Sequence, residues 1–462
     1  MTRRSLVLPS WPPGEIPGQV HLRCPHCGED TALEELRVGL MVCPWCEFHF
    51  PWEASSRLER LVDEGSFAPL PDLPPSPNRV GRAALFGQPV AVAVTDYTAR
   101  WGPEEVGALL QVAEVAFQER RPLLWVLTAA QGGPDERGVR ACWMALSRLA
   151  ERKVPWLVLV AGPCFGPLAA LALRADLLFA ERGSALGLLL PEALREAGRL
   201  PPECADHPRR LLQAGWADNV VTRREQRAVL AGALDFLRGG AGLALRLPGR
   251  GRGLFWDLPA PLGQLFGPAL ELHGDRGASD APGLRAGLAR LQGEGPAVLL
   301  LAAGLGNRSL FGTGRRRAIG SSGWRKAARL VRLAGRFELP VIGLVGNPEL
   351  RPELHEPPGV LAAALAEFQE AWLRSKVPTL AVFLQRTASP AAQAFGGADR
   401  VLAAAEAAGA GADAMFADEP SLSRLLVEGV QELIQTYLLS GPLGRRKLLE
   451  RRGMRLSRAL QQ

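Results

Sequence analysis

The sequence predicts an α/β protein with two layers of mainly parallel strands, preceded by a small cysteine-rich ribbon. Short apolar runs alternate with helical patterns from Val80 onward, and the alternation is repeated in the second half of the chain, which indicates two helix-covered sheets. The segment Lys153–Asp176 has a copy at Lys376–Asp399, at a constant separation of 223 positions. A fixed register through two prolines and an aspartate predicts duplication of one strand–turn–helix–strand unit.

Two cysteine pairs near the start predict a metal site. Cys24-Pro-His-Cys27 and Cys43-Pro-Trp-Cys46 have the C-x2-C-x15-C-x2-C spacing of four-cysteine zinc sites. Each pair lies on a tight turn that directs two thiolates to one ion, and the two turns complete a tetrahedron. We therefore predict a structural zinc ribbon, with nearby His26 and His49 outside the ligand set. The alternative is an unmetallated loop with four reduced cysteines. The predicted ligands are Cys24, Cys27, Cys43 and Cys46.

The remaining elements follow from apolar periodicity and breaker residues. The predicted helices are Trp52–Gly65, Pro103–Gln118, Val139–Arg152, Arg223–Leu237, Trp324–Phe337, Val360–Leu373, Ser421–Leu439 and Arg445–Leu456. The predicted strands are Pro89–Val94, Pro122–Leu127, Leu177–Ala180, Ala297–Ala302, Pro340–Val345 and Val401–Ala404. Gly239–Pro261 is rich in glycine, arginine and proline and is predicted to be a linker. The predicted domains are 1–78 (ribbon and tether), 79–238, the linker 239–262, and 263–462.

Composition limits the class of protein. With 462 residues, 47% hydrophobic and 22% charged, the chain has the composition of a globular protein of two or three domains. No apolar run approaches the roughly 18 residues of a membrane span, and the start lacks a long apolar stretch, so a cytoplasmic protein is expected. A net charge of +7 is compatible with an anionic ligand. The ribbon lacks an aromatic-plus-basic stripe, which makes nucleic-acid binding the least favoured reading.

Several motifs together carry a family resemblance. The ribbon is followed by Phe48-His49-Phe50 and by RLERLVDEGSF at 57–67, and the second half contains ELHGDR at 271–276, GLARL at 287–291, GWRKA at 323–327 and LLERR at 448–452. Residues Cys24–Leu70 resemble the β subunit of bacterial acetyl-CoA carboxylase carboxyltransferase. Residues from Glu271 onward resemble its α subunit. The resemblance therefore covers nearly the whole chain, in β-then-α order.

The resemblance implies a crotonase-like (ClpP/crotonase) fold in each half and a homodimer of the fused chain. It implies transfer of a carboxyl group from carboxybiotin on a carrier protein to acetyl-CoA, which gives malonyl-CoA for fatty acid biosynthesis. It also implies other acetyl-CoA carboxylase subunits as partners. Such enzymes hold the thioester enolate and the biotin oxyanion with backbone N–H groups of glycine-rich turns at helix N-termini.

The glycine-rich turns are where this sequence departs from the family. Phe165-Gly166-Pro167 stands where the β family has a glycine pair, and Pro390 stands in the corresponding α-type turn; proline has no N–H to donate. Gly166 is one candidate donor, and shifted glycines are the others. The candidate oxyanion donors are Gly132, Gly133 and Gly166, and the candidate CoA- or biotin-binding residues are Gly396, Gly397, Arg315 and Arg316. For the shifted glycines and the arginines, ordinary turn or loop roles are the alternative.

The sequence favours two functions, and a decarboxylase or hydrolase on the same scaffold, which needs only the acyl-CoA half, is a further enzyme alternative. The first is an active carboxyltransferase component that uses acyl-CoA and carboxybiotin. The second is a non-catalytic homologue, a pseudoenzyme that serves as a structural or regulatory partner of active subunits. Two further side chains have a catalytic and a structural reading each: His273 as general base or turn residue, and Cys164 as reactive thiol or buried core residue.

Overall fold

The computed structural model describes residues 20–128, 131–132, 135–188, 212–238, 255–256, 258, 262–277, 279, 281, 283–293, 295–305, 318–354, 356–385, 389–407, 412–438 and 441–459. It divides into two compact units, Met1–Trp52 and Glu53–Gln462. Among the described helices, none combines the length and the apolar character that a membrane crossing requires.

The first unit is a ribbon built around the cysteine turns. Strand β1 (His21–Arg23) pairs antiparallel with β2 (Asp30–Ala32), and helix α1 (Leu33–Val38) follows directly. A single bridge between Val42 and His49 closes the second turn. Among its described residues, from Val20 onward, five buried side chains form a small core: Cys24, Leu36, Met41, Cys43 and Phe50. Two of these five are predicted zinc ligands, so in the described part of the ribbon the core is built largely around the metal site.

The second unit begins with a seven-stranded sheet. Its strands are β3 (Ala68–Pro69), β4 (Arg79–Leu85), β5 (Gln88–Val94), β7 (Leu123–Leu127), β9 (Trp156–Val160), β11 (Leu177–Ala180) and β13 (Asn219–Val220). The spatial order is β13-β11-β9-β7-β5-β4-β3. Strands from β5 to β13 pair in parallel, whereas β4 pairs antiparallel with β5 and with β3. The central strands are buried on both faces because helices cover the sheet.

Helices and short strands fill the crossovers of this half. The helices are α2 (Ala54–Leu61), α3 (Pro103–Glu119), α4 (Glu136–Arg148), α5 (Pro167–Ala172) and α6 (Gln226–Arg238). The short strands are β6 (Arg100–Trp101), β8 (Gln131–Gly132), β10 (Pro163–Phe165) and β12 (Ala185–Gly187). Strand β6 pairs with β8 and β10 with β12, both in parallel, as a second layer at the carboxyl ends of the main strands.

An eight-stranded sheet forms the second half. Its strands, in spatial order, are β14 (Phe255–Trp256), β15 (Ala269–Leu272), β16 (Leu284–Arg290), β17 (Ala297–Ala303), β19 (Val341–Val345), β21 (Thr379–Phe383), β22 (Arg400–Ala404) and β23 (Ala414–Phe416). Pairing is antiparallel from β14 to β17 and parallel from β17 to β23. The two sheets thus share one plan, an antiparallel entry followed by parallel strands.

The helices of this half and one further strand pair complete the fold. The helices are α7 (Leu262–Phe266), α8 (Ser321–Phe337), α9 (Pro358–Leu373), α10 (Pro390–Gln393), α11 (Glu419–Leu433) and α12 (Gly441–Ala459). The short strands β18 (Ala318–Ile319) and β20 (Glu349–Leu350) pair in parallel. One continuous cluster of buried residues contains members of both sheets and of α6, α8 and α9. The two halves therefore share a core.

The predicted fold class is confirmed, and the predicted element bounds differ in detail. Helix α4 begins at Glu136, before the predicted Val139, because the Asp135 carboxylate accepts a hydrogen bond from the Gly138 N–H at 2.7 Å and caps the helix. Strands β4, β15 and β16 and the short strands of the second layer were not among the predicted elements. Phe255 and Trp256, inside the predicted linker, form an edge strand. Most of the predicted linker lies outside the described residues, and the predicted domain limits stay a prediction.

Candidate functional site

The four predicted zinc ligands lie together in the ribbon. The Sγ atoms of Cys24, Cys27, Cys43 and Cys46 are all within 4.8 Å of one another. Cys24 Sγ is 3.6 Å from Cys46 Sγ, and Cys27 Sγ is 3.7 Å from Cys43 Sγ. A tetrahedral ion with metal–sulfur bonds of about 2.3 Å requires sulfur–sulfur separations of about 3.8 Å. The donor set and its spacing therefore fit one tetrahedral zinc ion.

The turn before α5 holds the first candidate donor. Gly166 is the N-cap of α5 and has φ 89°, a conformation that favours glycine. Its N–H already donates to the Gly187 carbonyl of β12 at 2.9 Å. The next residue, Pro167, is the first residue of α5 and has no N–H. Leu168, at the second helical position, is the first residue of α5 whose N–H has no acceptor among the described residues.

The corresponding turn of the second half begins α10. Ser389 is the N-cap; its hydroxyl accepts from the Ala392 N–H at 3.2 Å and donates to the Pro348 carbonyl at 2.8 Å. Pro390 follows as the first helical residue, at the position equivalent to Pro167. Both repeated units therefore carry proline where a helix N-terminus would offer its first N–H. Residues 386–388, just before this turn, lie outside the described residues.

The shifted glycines are distributed over other turns. Gly132 ends β8, opposite Trp101 of β6, whereas Gly166 follows β10 of the other short strand pair. The Gly396 N–H donates to the Gln393 carbonyl at 2.8 Å, and Gly397 has φ 72°, the arrangement that commonly ends a helix. Gly396 and Gly397 therefore belong to the turn that ends α10. Gly133, Arg315 and Arg316 lie outside the described residues.

Two further candidate side chains are Cys164, which is buried, and His273, which is largely buried. Cys164 in β10 is fully buried, and burial raises the pKa of its thiol to about 12, so a reactive thiolate is not formed near neutral pH. Burial and the nearby Lys326 ammonium lower the pKa of His273 to about 4. His273 Nε2 lies 3.9 Å from Glu271 Oε2. The structure favours the buried structural reading for both residues.

The ELHGDR motif joins the two halves, a role that the sequence analysis did not assign. The backbone N–H of His273 donates to the Asp218 carbonyl at 2.7 Å, and that of Arg276 donates to the Gly215 carbonyl at 2.9 Å. Asp218 is fully buried, and its carboxylate accepts from Arg276 Nη2 at 2.5 Å. Arg329 Nη2 of α8 reaches the other oxygen at 2.6 Å. Two arginines of the second half thus meet one buried carboxylate at the edge of the first sheet.

Comparison with known proteins identifies the family. A family model described as acetyl co-enzyme A carboxylase carboxyltransferase-like matches residues 261–408. The acetyl-coenzyme A carboxylase carboxyl transferase subunits beta/alpha of Salinispora arenicola is 33% identical over 451 residues, covering 83% of this chain and 79% of the relative. This chain belongs to the acetyl-CoA carboxylase carboxyltransferase family. The β/α protein of a Parafrankia strain is 29% identical, covering 84% of this chain and 76% of the relative.

Solved structures agree with the carboxyltransferase fold. The transcarboxylase 12S structure, described as a hexamer assembly with methylmalonyl-coenzyme A and methylmalonic acid bound, has a TM-score of 0.59 at 17% identity and covers 88% of this chain and 90% of that one. A single-chain, multi-domain long-chain acyl-CoA carboxylase has a TM-score of 0.58 at 20% identity, covering 82% of this chain and 43% of that one. These similarities show the crotonase-like fold in tandem.

Proposed function

We propose that this carboxyltransferase-family chain is a non-catalytic component of acetyl-CoA carboxylase that acts as a structural or regulatory partner of active subunits. The observation that carries the proposal is the pair of equivalent prolines, Pro167 and Pro390, at the first positions of α5 and α10. In the first turn, the preceding N–H, that of Gly166, already has an acceptor in Gly187. Neither turn can therefore donate a backbone N–H from its first helical position, the kind of donor on which the family reaction relies.

The size of the expected defect supports this reading. Loss of one oxyanion donor typically lowers the rate about 10²–10³-fold. Carboxyl transfer needs stabilisation both at the thioester enolate and at the biotin oxyanion, so defects in the two turns act on different steps of one reaction. Their combined effect brings transfer from carboxybiotin to acetyl-CoA close to the background rate unless other donors compensate.

The second candidate is an active carboxyltransferase that makes malonyl-CoA. One observation favours it: the Leu168 N–H, one position into α5, has no acceptor within the described part of the chain. This N–H would then be the donor of a displaced oxyanion site, and Gly132 and Gly133 stay candidates from the sequence. Acyl-CoA, a carboxybiotin carrier protein and other carboxylase subunits would then be its reaction partners.

The two candidates are separated by the reverse reaction, malonyl-CoA-dependent carboxylation of free biotin by the purified chain. If the chain is non-catalytic, we expect it to carboxylate biotin no faster than a heat-inactivated control. Pro167→Ala restores the missing N–H without a positive φ, and Pro163→Ala on the neighbouring strand β10 is the matched control. A native rate well above the inactivated control would overturn the proposal and support the second candidate. Loss of that rate in Leu168→Pro would then locate the donor.

We also propose that the ribbon holds one structural zinc ion through Cys24, Cys27, Cys43 and Cys46. The sulfur–sulfur distances support this assignment, and the ion would supply folding free energy to a unit with a small core. The Cys24→Ser/Cys43→Ser protein should lose stoichiometric zinc, measured by elemental analysis. Cys142→Ser, at a buried cysteine of α4, should keep it. Retention of zinc by the double variant would contradict the four-cysteine assignment.

The proposal extends to ligands and assembly. We infer that any remaining CoA contact would use Arg315 and Arg316 for its phosphates, with Gly396 and Gly397 near the second turn, and that the fused chain forms a homodimer. Calorimetric titration with CoA should show weaker binding for Arg315→Ala/Arg316→Ala than for the native chain. Sedimentation equilibrium checks the dimer, and a monomer would contradict it.

A further inference from the structure

An aspartate closes each copy of the repeated unit in the same way. Asp176 Oδ2 accepts from the Trp156 N–H at 2.8 Å, and the Asp176 N–H donates to the Trp156 carbonyl at 2.9 Å. In the second copy Asp399 Oδ2 accepts from the Thr379 N–H at 2.7 Å, and the Asp399 N–H donates to the Thr379 carbonyl at 2.9 Å. The two pairs are related by the same separation of 223 positions that relates the copies.

The second copy receives an arginine from the last helix. Arg452 of α12 is 2% exposed and Asp399 is fully buried. Arg452 Nε lies 2.9 Å from Asp399 Oδ1 and Nη2 lies 2.6 Å from Oδ2, a bidentate contact. Nη2 also donates to the Val377 carbonyl at 2.8 Å. Nη1 donates to the Ser375 carbonyl at 2.5 Å and to the Leu373 carbonyl at 3.1 Å.

The first copy receives an arginine from the other half of the protein. Arg336 Nη1, in the last turn of α8, lies 2.5 Å from Asp176 Oδ1. Arg336 Nη2 donates to the Val154 carbonyl at 2.8 Å. Val154 and Val377 occupy equivalent positions, so both arginines contact the same carboxylate and the same carbonyl of the repeated unit. Arg336 and Arg452 themselves lie on elements that are not related by the repeat.

We propose that each copy of the repeated unit is a guanidinium-binding site, filled in the first copy by Arg336 and in the second by Arg452. The site consists of a buried aspartate and a carbonyl two residues before the strand residue that pairs with that aspartate. A planar guanidinium can meet both groups at once, whereas the ammonium of lysine is a point donor with no such fork. Since the first site is filled from the second half, it is one of the contacts through which the first half binds the second.

The charge environment supports a specific site. Asp399 is fully buried, and removal of its arginine would leave an unpaired charge in a dry interior, which is strongly destabilising. The carbonyl oxygens around Arg452 accept hydrogen bonds from guanidinium N–H groups that an ion pair alone would leave without an acceptor. A vacated site would therefore attract a small planar cation from solution, and guanidinium ion itself is the natural probe.

The test uses the full-length chain and thermal unfolding. Arg452→Ala should lower the unfolding midpoint by about 5 °C or more. Guanidinium chloride at about 20 mM should then raise the midpoint of this variant by about 2 °C by occupying the vacated site. It should not raise the midpoint of the native chain. Sodium chloride at equal concentration controls for ionic strength, and urea controls for planar shape without charge.

Matched variants decide whether the rescue is local. Arg446→Ala, an exposed arginine of the same helix paired with Glu450, should unfold like the native chain and show no rescue. Arg452→Ala/Asp399→Asn should also show none, because the neutral amide does not attract the cation. Equal shifts with guanidinium and sodium chloride, or rescue of the double variant, would overturn the proposal.

The first site is tested in the same way. Guanidinium should raise the unfolding midpoint of Arg336→Ala but not that of Arg336→Ala/Asp176→Asn. Arg332→Ala, at an exposed position of the same helix, is the control. If an alanine variant is insoluble, the lysine variant of that arginine is measured instead. The proposal expects the lysine variant to unfold below the native midpoint, because an ammonium does not bridge carboxylate and carbonyl. Equal stability of the lysine variant would contradict it.

Discussion

At the scale of single residues, Gly274 shows how a neighbouring backbone determines residue type. Gly274 has φ 67°, and a Cβ atom there would lie 2.4 Å from the Gly215 carbonyl oxygen and 2.7 Å from that of Ala217. Contacts below about 3 Å force the backbone itself to move. The motif ELHGDR thus contains glycine because two chain segments from different halves approach closely at this point. A motif in the sequence shows the glycine but not the segment that opposes it.

Gly274→Ala should lower the free energy of unfolding by about 3 kcal/mol or more, because strain at positive φ is added to a backbone clash. Gly267→Ala is the matched control, since Gly267 has φ 62° but no atom within 4 Å of the added Cβ. It should lose only about 1 kcal/mol. Denaturant unfolding of both variants measures the difference. Equal losses of unfolding free energy would show that the close approach of the two backbones does not destabilise Gly274→Ala.

The zinc ligands and the glycine-poor turns, by contrast, could be read from the sequence, because local spacing and the missing N–H of proline need no knowledge of partners. The acceptor of the Gly166 N–H could not, because Gly187 lies on another strand. The same holds for His273, whose burial among charged groups depends on distant elements.

His273 should make the protein less stable as the pH falls. Its pKa is lowered from 6.5 to about 4, first by burial and then by the Lys326 charge, so the unfolded chain binds more protons below pH 6.5. Stability from this residue is complete above pH 6.5 and declines by up to about 3 kcal/mol towards pH 4. The charges of Glu271, Arg285 and Asp218 also affect the pKa of His273.

Unfolding measured from pH 4 to 7 checks this expectation. His273→Asn should flatten the pH dependence of the free energy of unfolding over that range. A His273→Asn curve parallel to that of the native chain would rule out a contribution from His273.

At the scale of elements, the parallel strands and long helices were predictable and the antiparallel entry strands were not. Strands such as Val341–Val345 are continuous apolar runs because both faces are covered. Strand β16, LRAGLAR, contains two arginines and a glycine, and its pattern carries no strand signal. Arg285 binds Glu271 on the neighbouring strand, and Arg290 binds Asp235 of α6. The burial of this strand depends on those partners.

The helix pair α8 and α9 packs on the second sheet through an aromatic cluster. Phe368 lies at its centre, with ring centroids 4.9 Å from Phe395, 5.1 Å from Trp324 and 5.8 Å from Trp372. Phe368→Ala should lower the free energy of unfolding by about 3–5 kcal/mol through cavity formation. Phe86→Ala, at a residue that is 40% exposed, should lower the free energy of unfolding by about 1 kcal/mol. Similar losses for the two variants in urea unfolding would contradict the central role of the cluster.

At the scale of the whole molecule, buried charge pairs join the halves. Asp218 meets Arg276 and Arg329, and Asp176 meets Arg336; both aspartates belong to the first half and all three arginines to the second. Removal of one buried carboxylate leaves partly buried guanidinium groups without their counter-charge. The sequence showed a duplication but no sign of this arrangement, because ion pairs between distant segments leave no local pattern.

Asp218→Asn should therefore lower the free energy of unfolding by about 3–5 kcal/mol. Glu367→Gln is the control, because its pair with Arg332 is exposed and should contribute less than about 1 kcal/mol. Calorimetry of the full chain provides the measurement. A stability loss for Asp218→Asn no larger than that of the control would show that the joint between the halves does not depend on this carboxylate.

The unequal origin of the two arginines has a consequence for synthesis on the ribosome. Asp399 and its arginine are 53 residues apart, whereas Asp176 and Arg336 are 160 residues apart. At a translation rate of about 5–20 residues per second, Arg336 is synthesised roughly 8–30 s after Asp176. This interval is about three times as long as the one between Asp399 and Arg452. During that interval the nascent first half exposes the face that α8 later covers. A chaperone that binds nascent chains would thus encounter this protein chiefly through its first half.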